Sequence, residues 1–301
     1  MPPMTKNLLI VNCLAFVATW VLQRSGIDLT SLLGLHFFLA SDFHIYQFLT
    51  YMFLHGGFTH LFFNMFALWM FGGVIERVWG SKKFLFYYIV CGLGAGFTQE
   101  LVQYADYIIQ DIPSYQYVNA GGIQMTTEAY INLWTTIGAS GAVYGILLAF
   151  GMIFPNERLF IIPFPFPIKA KWLVVGYVAI ELFSAMSGPG DGVAHMAHLG
   201  GMLFGFLLIR YWQKHPDSSQ RFGRSKGQEF FDNMKRKFDE RQKNQRMKAE
   251  PTNRRETDEE YNARQRQNQE EIDAILDKIR KSGYDSLTKE EKRKLFEQSH
   301  R

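Results

Sequence analysis

Apolar runs recur along the first 212 residues and then stop. They cover residues 8–23, 60–78, 84–109, 137–155, 172–186 and 193–212. A bilayer's hydrocarbon core of about 30 Å takes about 20 helical residues. The pattern therefore predicts six membrane-crossing helices, the first and fifth of them short. A further apolar stretch, 29–54, is interrupted by Gly34, His36, Asp42 and His44. It reads as an interfacial or partly embedded loop. Residues 105–134 form a long connection with no assignable pattern. The N-terminal run resembles a secretory leader, but it lacks a small-residue cleavage site and further spans follow, so it reads as a retained first span. No internal repeat is visible. The expected class is all-α, a polytopic membrane bundle with a helical tail.

Charge sharpens this division. Of 32 Lys and Arg, 23 lie after residue 212, as do 18 of the 28 Asp and Glu. The remainder is too sparse to coat a soluble domain. It suits a surface facing lipid, where a charge at mid-depth costs roughly 2.5–3.5 kcal/mol. Basic residues also predict orientation. With the N-terminus in the cytoplasm, Lys6, Arg77, Lys82, Lys83, Arg158, Lys169 and Lys171 fall on cytoplasmic segments, and only Arg24 falls in an outer loop. An even number of spans returns the chain to the cytoplasm. The two cysteines, Cys13 and Cys91, sit in apolar runs and suggest neither a disulfide framework nor a metal site.

Three parts are expected: a six-span domain at 1–212, a basic linker at 213–255 and a small helical hairpin at 256–301. Residues 214–255 hold 13 basic and 6 acidic side chains. They read as a solvated tether or as a contact for anionic lipid heads. Ile272, Ile275, Leu276 and Ile279 share a helix face. After Ser282-Gly283, Thr288 and Glu291 have capping-box spacing ahead of Leu295 and Phe296. Nothing in the tail points to chemistry.

Polar residues inside the apolar runs are the candidates for function. His60 and Asn64, in HGGFTHLFFN with His55, are four apart on one face. They could bind a developing negative charge or simply bridge two helices. Ser140 lies in GASGAVYG, where Gly138, Gly141 and Gly145 remove bulk at helical spacing and Tyr144 follows one turn later. This is either a close-packing face with an incidental serine or an exposed nucleophile at a helix N-terminus. His198, in HMAHLGG, sits one turn before the Gly201–Gly205 pair, a close-packing motif. Taken together, three helices supply a hydroxyl, an imidazole and two donors. Nucleophilic acyl transfer needs that set. No carboxylate is placed by the pattern as a third member: Asp191 falls in an outer loop and Glu181 on the fifth span. The expectation is a Ser140–His198 dyad, with Tyr144 packed beneath the imidazole. A transporter or channel is disfavoured, because the spans contain no Lys or Arg pair and no matching halves.

These motifs together resemble the rhomboid family over about residues 40–212. HGGFTHLFFN is similar to the family's second-span motif, which implies oxyanion support by His60 and Asn64. GASGAVYG is similar to the nucleophile motif, giving Ser140 with Gly138 and Gly141 around it. AHLGGMLFG is similar to the sixth-span motif, giving His198 rather than His195, with Gly201 and Gly205. Tyr144 matches the aromatic residue that stacks on that histidine, and GGVIERVWGSKK matches the turn after the second span. Tyr46-Gln47 stands where many members carry Trp-Arg.

The resemblance implies a six-helix intramembrane serine endopeptidase that uses no metal or cofactor. Its substrates would be single-span membrane proteins, cut near the outer membrane face, and it would not bind nucleic acid. The short N-terminus fits a bacterial cytoplasmic membrane. The competing expectation is a catalytically inactive relative that binds membrane clients.

Overall fold

The structure is a computed structural model. It describes residues 1–159, 167–186, 194–215, 236, 240 and 258–299. Asp191, the start of the sixth predicted span and nearly all of the basic linker lie outside the described residues. Contacts divide the chain into two compact units, Met1–Asn233 and Met234–Arg301.

The first unit is mostly helical. Its long helices are α1 (Pro3–Gln23), α2 (Phe58–Trp79), α3 (Ser81–Ile109), α4 (Ser140–Ile153), α5 (Ala170–Met186) and α6 (His195–Lys214). The helices α1, α2 and α3 are long and apolar enough to cross a membrane. Their outward faces carry Leu14, Trp20, Phe63, Trp69, Phe86 and Phe97, all exposed in the isolated chain. Apolar side chains in that position suit lipid rather than water. The helix α4 is shorter, at 14 residues, or roughly 21 Å. Within α2, residues Leu68–Gly72 form a π-helical turn, which the sequence pattern did not suggest.

The stretch read as an interfacial loop folds into short pieces. A helical turn at Leu29–Leu33 is capped by the Asp28 side chain. Strand β1 (Leu35–His36) then pairs antiparallel with β4 (Thr135–Thr136). Buried Gln47 organises this region: its carbonyl oxygen accepts from the His44 N–H at 2.9 Å, and its amide donates to the Asp42 carbonyl at 2.9 Å. The 105–134 connection also has structure. The end of α3 runs to Ile109, a hairpin of β2 (Tyr117–Ala120) and β3 (Ile123–Thr126) follows, and a helical turn covers Thr127–Asn132.

Helix α6 packs against both α3 and α4, and glycine makes that approach close. A Cβ on Gly201 would lie 2.0 Å from the Gly141 carbonyl oxygen, and one on Gly141 would lie 2.3 Å from the Ala95 Cβ. A Cβ on Gly205 would lie 2.3 Å from the Tyr87 hydroxyl oxygen of α3. Helices in lipid gain little from expelling water, so contact of this kind carries the association.

Glu76, near the end of α2, is buried and ties two helix starts together. Its carboxylate accepts from the Met4 N–H at 2.9 Å, from the Thr5 N–H at 2.7 Å and from the Thr5 hydroxyl at 2.7 Å. It also accepts from the Ser81 hydroxyl at 2.6 Å, at the first residue of α3. The first turn of a helix has N–H groups without intrahelical partners and a positive dipole end, so a carboxylate belongs there.

The second unit contains α7 (Asp258–Ser282) and α8 (Lys289–Ser299), joined through Gly283 at φ 81°. The Thr288 N–H donates to Glu291 at 2.7 Å and the Glu291 N–H to the Thr288 hydroxyl at 3.3 Å, a reciprocal capping box. Lys278 of α7 reaches Glu291 at 2.9 Å. Ile275 and Leu287 are buried in this unit, whereas Leu276 on the predicted apolar face is 48% exposed.

Two outcomes follow from this packing. Gly201→Ala places a methyl against backbone that cannot turn aside, and is expected to cost at least about 1–3 kcal/mol. Glu76→Ala strands the first-turn donors of α1, and is expected to cost about 1–3 kcal/mol; Glu76→Gln, which keeps an acceptor oxygen, should cost less. Unfolding of the detergent-solubilised protein in graded SDS measures both. Wild-type midpoints for both variants would contradict the account.

Candidate active site

Ser140 is the first residue of α4. The chain arrives there through Gly138 at φ 137°, a conformation that suits glycine. The Gly138 N–H donates to the Tyr51 carbonyl at 2.9 Å, which fixes the approach. At a helix start the first N–H groups have no intrahelical acceptor. The Ser140 hydroxyl therefore sits beside a cluster of backbone donors.

His198 is in the first turn of α6 and is buried. Its Nε2 lies 2.8 Å from the Ser140 Oγ. The Tyr144 ring, one turn along α4 from Ser140, stacks on the imidazole with centroids 4.3 Å apart and planes within 7°. The Gly141–Gly201 contact lies just below this pair and brings the two helices close enough for it.

The carboxylate of Glu181 reaches the same imidazole from α5. Its Oε2 is 3.0 Å from His198 Nδ1 and 2.7 Å from His195 Nδ1, and its Oε1 accepts from the Tyr144 hydroxyl. The sequence reading left Glu181 on its own span and placed no carboxylate near His198. The geometry corrects that reading. It also gives His195, to which the resemblance assigned no role, a partner in Glu181. A signal was present: Glu181 is the one acidic residue in the apolar stretch 172–186, and a carboxylate there requires partners. Spacing alone could not say which helix supplied them.

The direction of these bonds can be assigned. An ionised carboxylate only accepts, so its histidine partners donate through Nδ1–H. A neutral His198 with its proton on Nδ1 has Nε2 free to accept from the Ser140 hydroxyl. Glu181, His195 and His198 also present one ligand atom each within 4.8 Å of one another, a spacing at which a cation could be held. The hydrogen bonds to Glu181 already explain why these atoms converge.

His60 and Asn64, both on α2, come near the site by a different route. A Cβ on Gly138 would lie 3.1 Å from His60 Nε2 and 3.3 Å from the Ser140 Oγ. The imidazole and the hydroxyl thus crowd the same side of Gly138. The Gly56 N–H points at His60 Nδ1, 3.4 Å away. That contact leaves Nε2 to carry the ring proton toward Ser140. Buried Asn64 donates from Nδ2 to the His60 carbonyl at 2.9 Å. This bond matches the shared face read from their spacing and leaves Nδ2 a second hydrogen to donate. His55, also buried, packs edge-on against His60 with centroids 5.1 Å apart.

The Rhomboid domain family matches residues 42–214, and residues 255–301 match a family of unknown function, DUF6576. The rhomboid protease AarA of Providencia stuartii is 31% identical over 160 residues, which are 52% of this chain and 52% of that protein. The rhomboid protease GlpG of Yersinia pseudotuberculosis is 25% identical over 211 residues, 70% of this chain and 62% of its own length. GlpG of Haemophilus influenzae is 24% identical over 204 residues, 67% of this chain and 88% of its length. The chain thus spans only 52% and 62% of the first two relatives. The domain match takes in every helix that meets at Ser140 and more than half of the chain, and this protein belongs to the rhomboid family.

Proposed function

We propose that this protein is an intramembrane serine endopeptidase that cleaves single-span membrane proteins near the outer membrane face. The observation that carries the reading is the 2.8 Å contact between Ser140 Oγ and His198 Nε2 at the start of α4. The setting is a six-span domain at about 1–212 in a bacterial cytoplasmic membrane, with both termini in the cytoplasm. The excess of Lys and Arg on the segments assigned to the cytoplasm supports that orientation. Apolar outward faces on α1, α2 and α3 support the membrane setting.

The reaction proceeds as follows. Ser140 Oγ attacks the substrate carbonyl carbon while its proton passes to His198 Nε2. The carbonyl oxygen, now negative, is held by the Ser140 N–H and by the His60 and Asn64 side chains. The tetrahedral species collapses, the peptide C–N bond breaks, and His198 returns the proton to the departing amine. Water then attacks the acyl-enzyme by the same route in reverse. The approach of His60 Nε2 and Ser140 Oγ to the same side of Gly138 supports this placement of the oxyanion. Tyr144 holds the plane of the imidazole by stacking.

Cleavage of a single-span reporter by detergent-purified protein is the direct test. Ser140→Ala and His198→Ala are each expected to lower the rate by at least about 10³-fold. Asn64→Ala is expected to lower it by roughly 10²–10³-fold, the usual effect of losing one oxyanion donor. Cleavage by folded Ser140→Ala would refute the mechanism. A folded wild type that neither cleaves nor reacts at Ser140 with a fluorophosphonate would identify a client-binding relative instead.

The tail gives a separate expectation. Every residue assigned a chemical role precedes α7, so a chain ending at His215 should cleave the same reporter at the wild-type rate. Loss of cleavage by that shortened chain, inserted and folded, would show that the second unit contributes to the reaction.

A further inference from the structure

We infer that Glu181 is a positioning residue for His198, so that this chain aligns its base with a Ser140–His198–Glu181 chain of hydrogen bonds rather than with a serine and histidine alone. The inference rests on the reading of Ser140 as nucleophile and His198 as base.

The argument begins with the cost of the carboxylate. Glu181 lies on an apolar helix and is 4% exposed. A carboxylate there is expensive unless hydrogen bonds meet its oxygens. Three donors do so, from two other helices: the Tyr144 hydroxyl of α4, and His195 and His198 of α6. Two of the three already belong to the proposed machinery. If the role were only to clamp helices, the partners could be any donors at the α4–α5–α6 junction. Here they are the base itself and the ring stacked on it.

The geometry assigns two effects to Glu181. First, accepting from His198 Nδ1 at 3.0 Å holds the ring proton on Nδ1, leaving Nε2 unprotonated opposite Ser140. Second, when Nε2 takes the Ser140 proton, His198 carries a positive charge 3.0 Å from a negative one. The balance is simple. One proton moves from Ser140 Oγ to His198 Nε2, and Glu181 stays ionised throughout. Stacked Tyr144 fixes the ring plane, Glu181 its rotation within that plane, and the His195 hydrogen bond steadies the Glu181 oxygen that does so.

The groups facing this cluster are Ser140 and Tyr144 on α4, Tyr177 on α5 against the Tyr144 ring, His195 on α6 and His60 on α2. Among the described residues facing His198, Glu181 supplies the negative charge. Its charge lies beside the imidazolium that forms when Nε2 takes the Ser140 proton, so removing that charge is expected to slow the step that creates it.

The test is a kinetic comparison of wild type, Glu181→Gln, Ser140→Ala and His198→Ala, all in detergent with the same reporter and with unfolding midpoints measured alongside. Glu181→Gln is expected to lower kcat by roughly 10²–10⁴-fold with KM unchanged. A folded Glu181→Gln with wild-type kcat overturns the inference while leaving the dyad intact, provided Ser140→Ala and His198→Ala are inert. Cleavage by those two variants would instead remove the underlying reading. If Glu181→Gln fails to fold, the wild type still decides the matter. Nitrogen NMR of protein labelled with ¹⁵N-histidine, with the His198 signal identified by its loss in His198→Ala, should show Nδ1 protonated and Nε2 bare. The opposite tautomer overturns the inference.

Discussion

The structure depends on how closely α4 and α6 approach. At Gly141 and Gly201 the two backbones touch, with no room for even a methyl group. Beside that contact, Ser140, next to Gly141, and His198, one turn before Gly201, come within 2.8 Å. A side-chain hydrogen bond tolerates only a few tenths of an ångström. A contact made between backbones sets that distance more rigidly than one made between flexible side chains, because it has no rotamers to relax into. Glycine here serves geometry more than conformation: it lets the helices approach closely enough for a short serine and an imidazole to meet.

The second constraint is satisfaction of polar groups in an apolar setting. Two carboxylates illustrate it differently. Glu76 meets the unpaired N–H groups at the start of α1 and a hydroxyl at the start of α3, so its hydrogen bonds fasten helix ends. Among the described residues Glu181 meets side chains only, and these are a phenol and two imidazoles. A carboxylate whose partners are backbone N–H groups and aliphatic hydroxyls needs nothing beyond stability to explain it. One whose partners can themselves gain, lose or relay protons sits where chemistry is expected. The same burial cost thus leads to different roles, and the identity of the donors separates them.

What the sequence made legible follows from the range of each signal. Ser140, Tyr144 and His198 could be read because glycine at helical spacing marks a contact face, and each polar residue lies within a turn of such a face. His60 and Asn64 could be paired because spacing by four is a property of one helix, and the bond from Asn64 Nδ2 to the His60 carbonyl runs along it. Glu181 could not be assigned in this way. Its partners lie on α4 and α6, and their meeting depends on how three helices rotate about their axes. No periodicity within a single helix records that rotation. The 105–134 connection escaped for a related reason: its hairpin and short helix are too brief for a periodic pattern, and the 29–54 loop is tied to it by a two-residue pairing of β1 with β4. The π-turn in α2 leaves no trace in an apolar run that reads the same either way.

The shortness of α4 completes the picture. At roughly 21 Å it cannot cross a hydrocarbon layer of about 30 Å. In the proposed topology its N-terminus, with Ser140 and the free N–H groups around it, therefore lies below the membrane surface. Irregular backbone at that depth is stable only when protein or a water-lined cavity surrounds it. The segment leading to Ser140 meets that condition: Thr135 and Thr136 pair with β1, and the Gly138 N–H bonds to the Tyr51 carbonyl. Read this way, the loop at 29–54 forms the wall that lets a helix begin inside the bilayer. A helix begun there offers unpaired backbone donors in a medium of low dielectric. Such donors hold a developing negative charge more strongly than they would in water. The length of one helix, the folding of the loop before it and the strength of the proposed oxyanion site are thus a single physical arrangement.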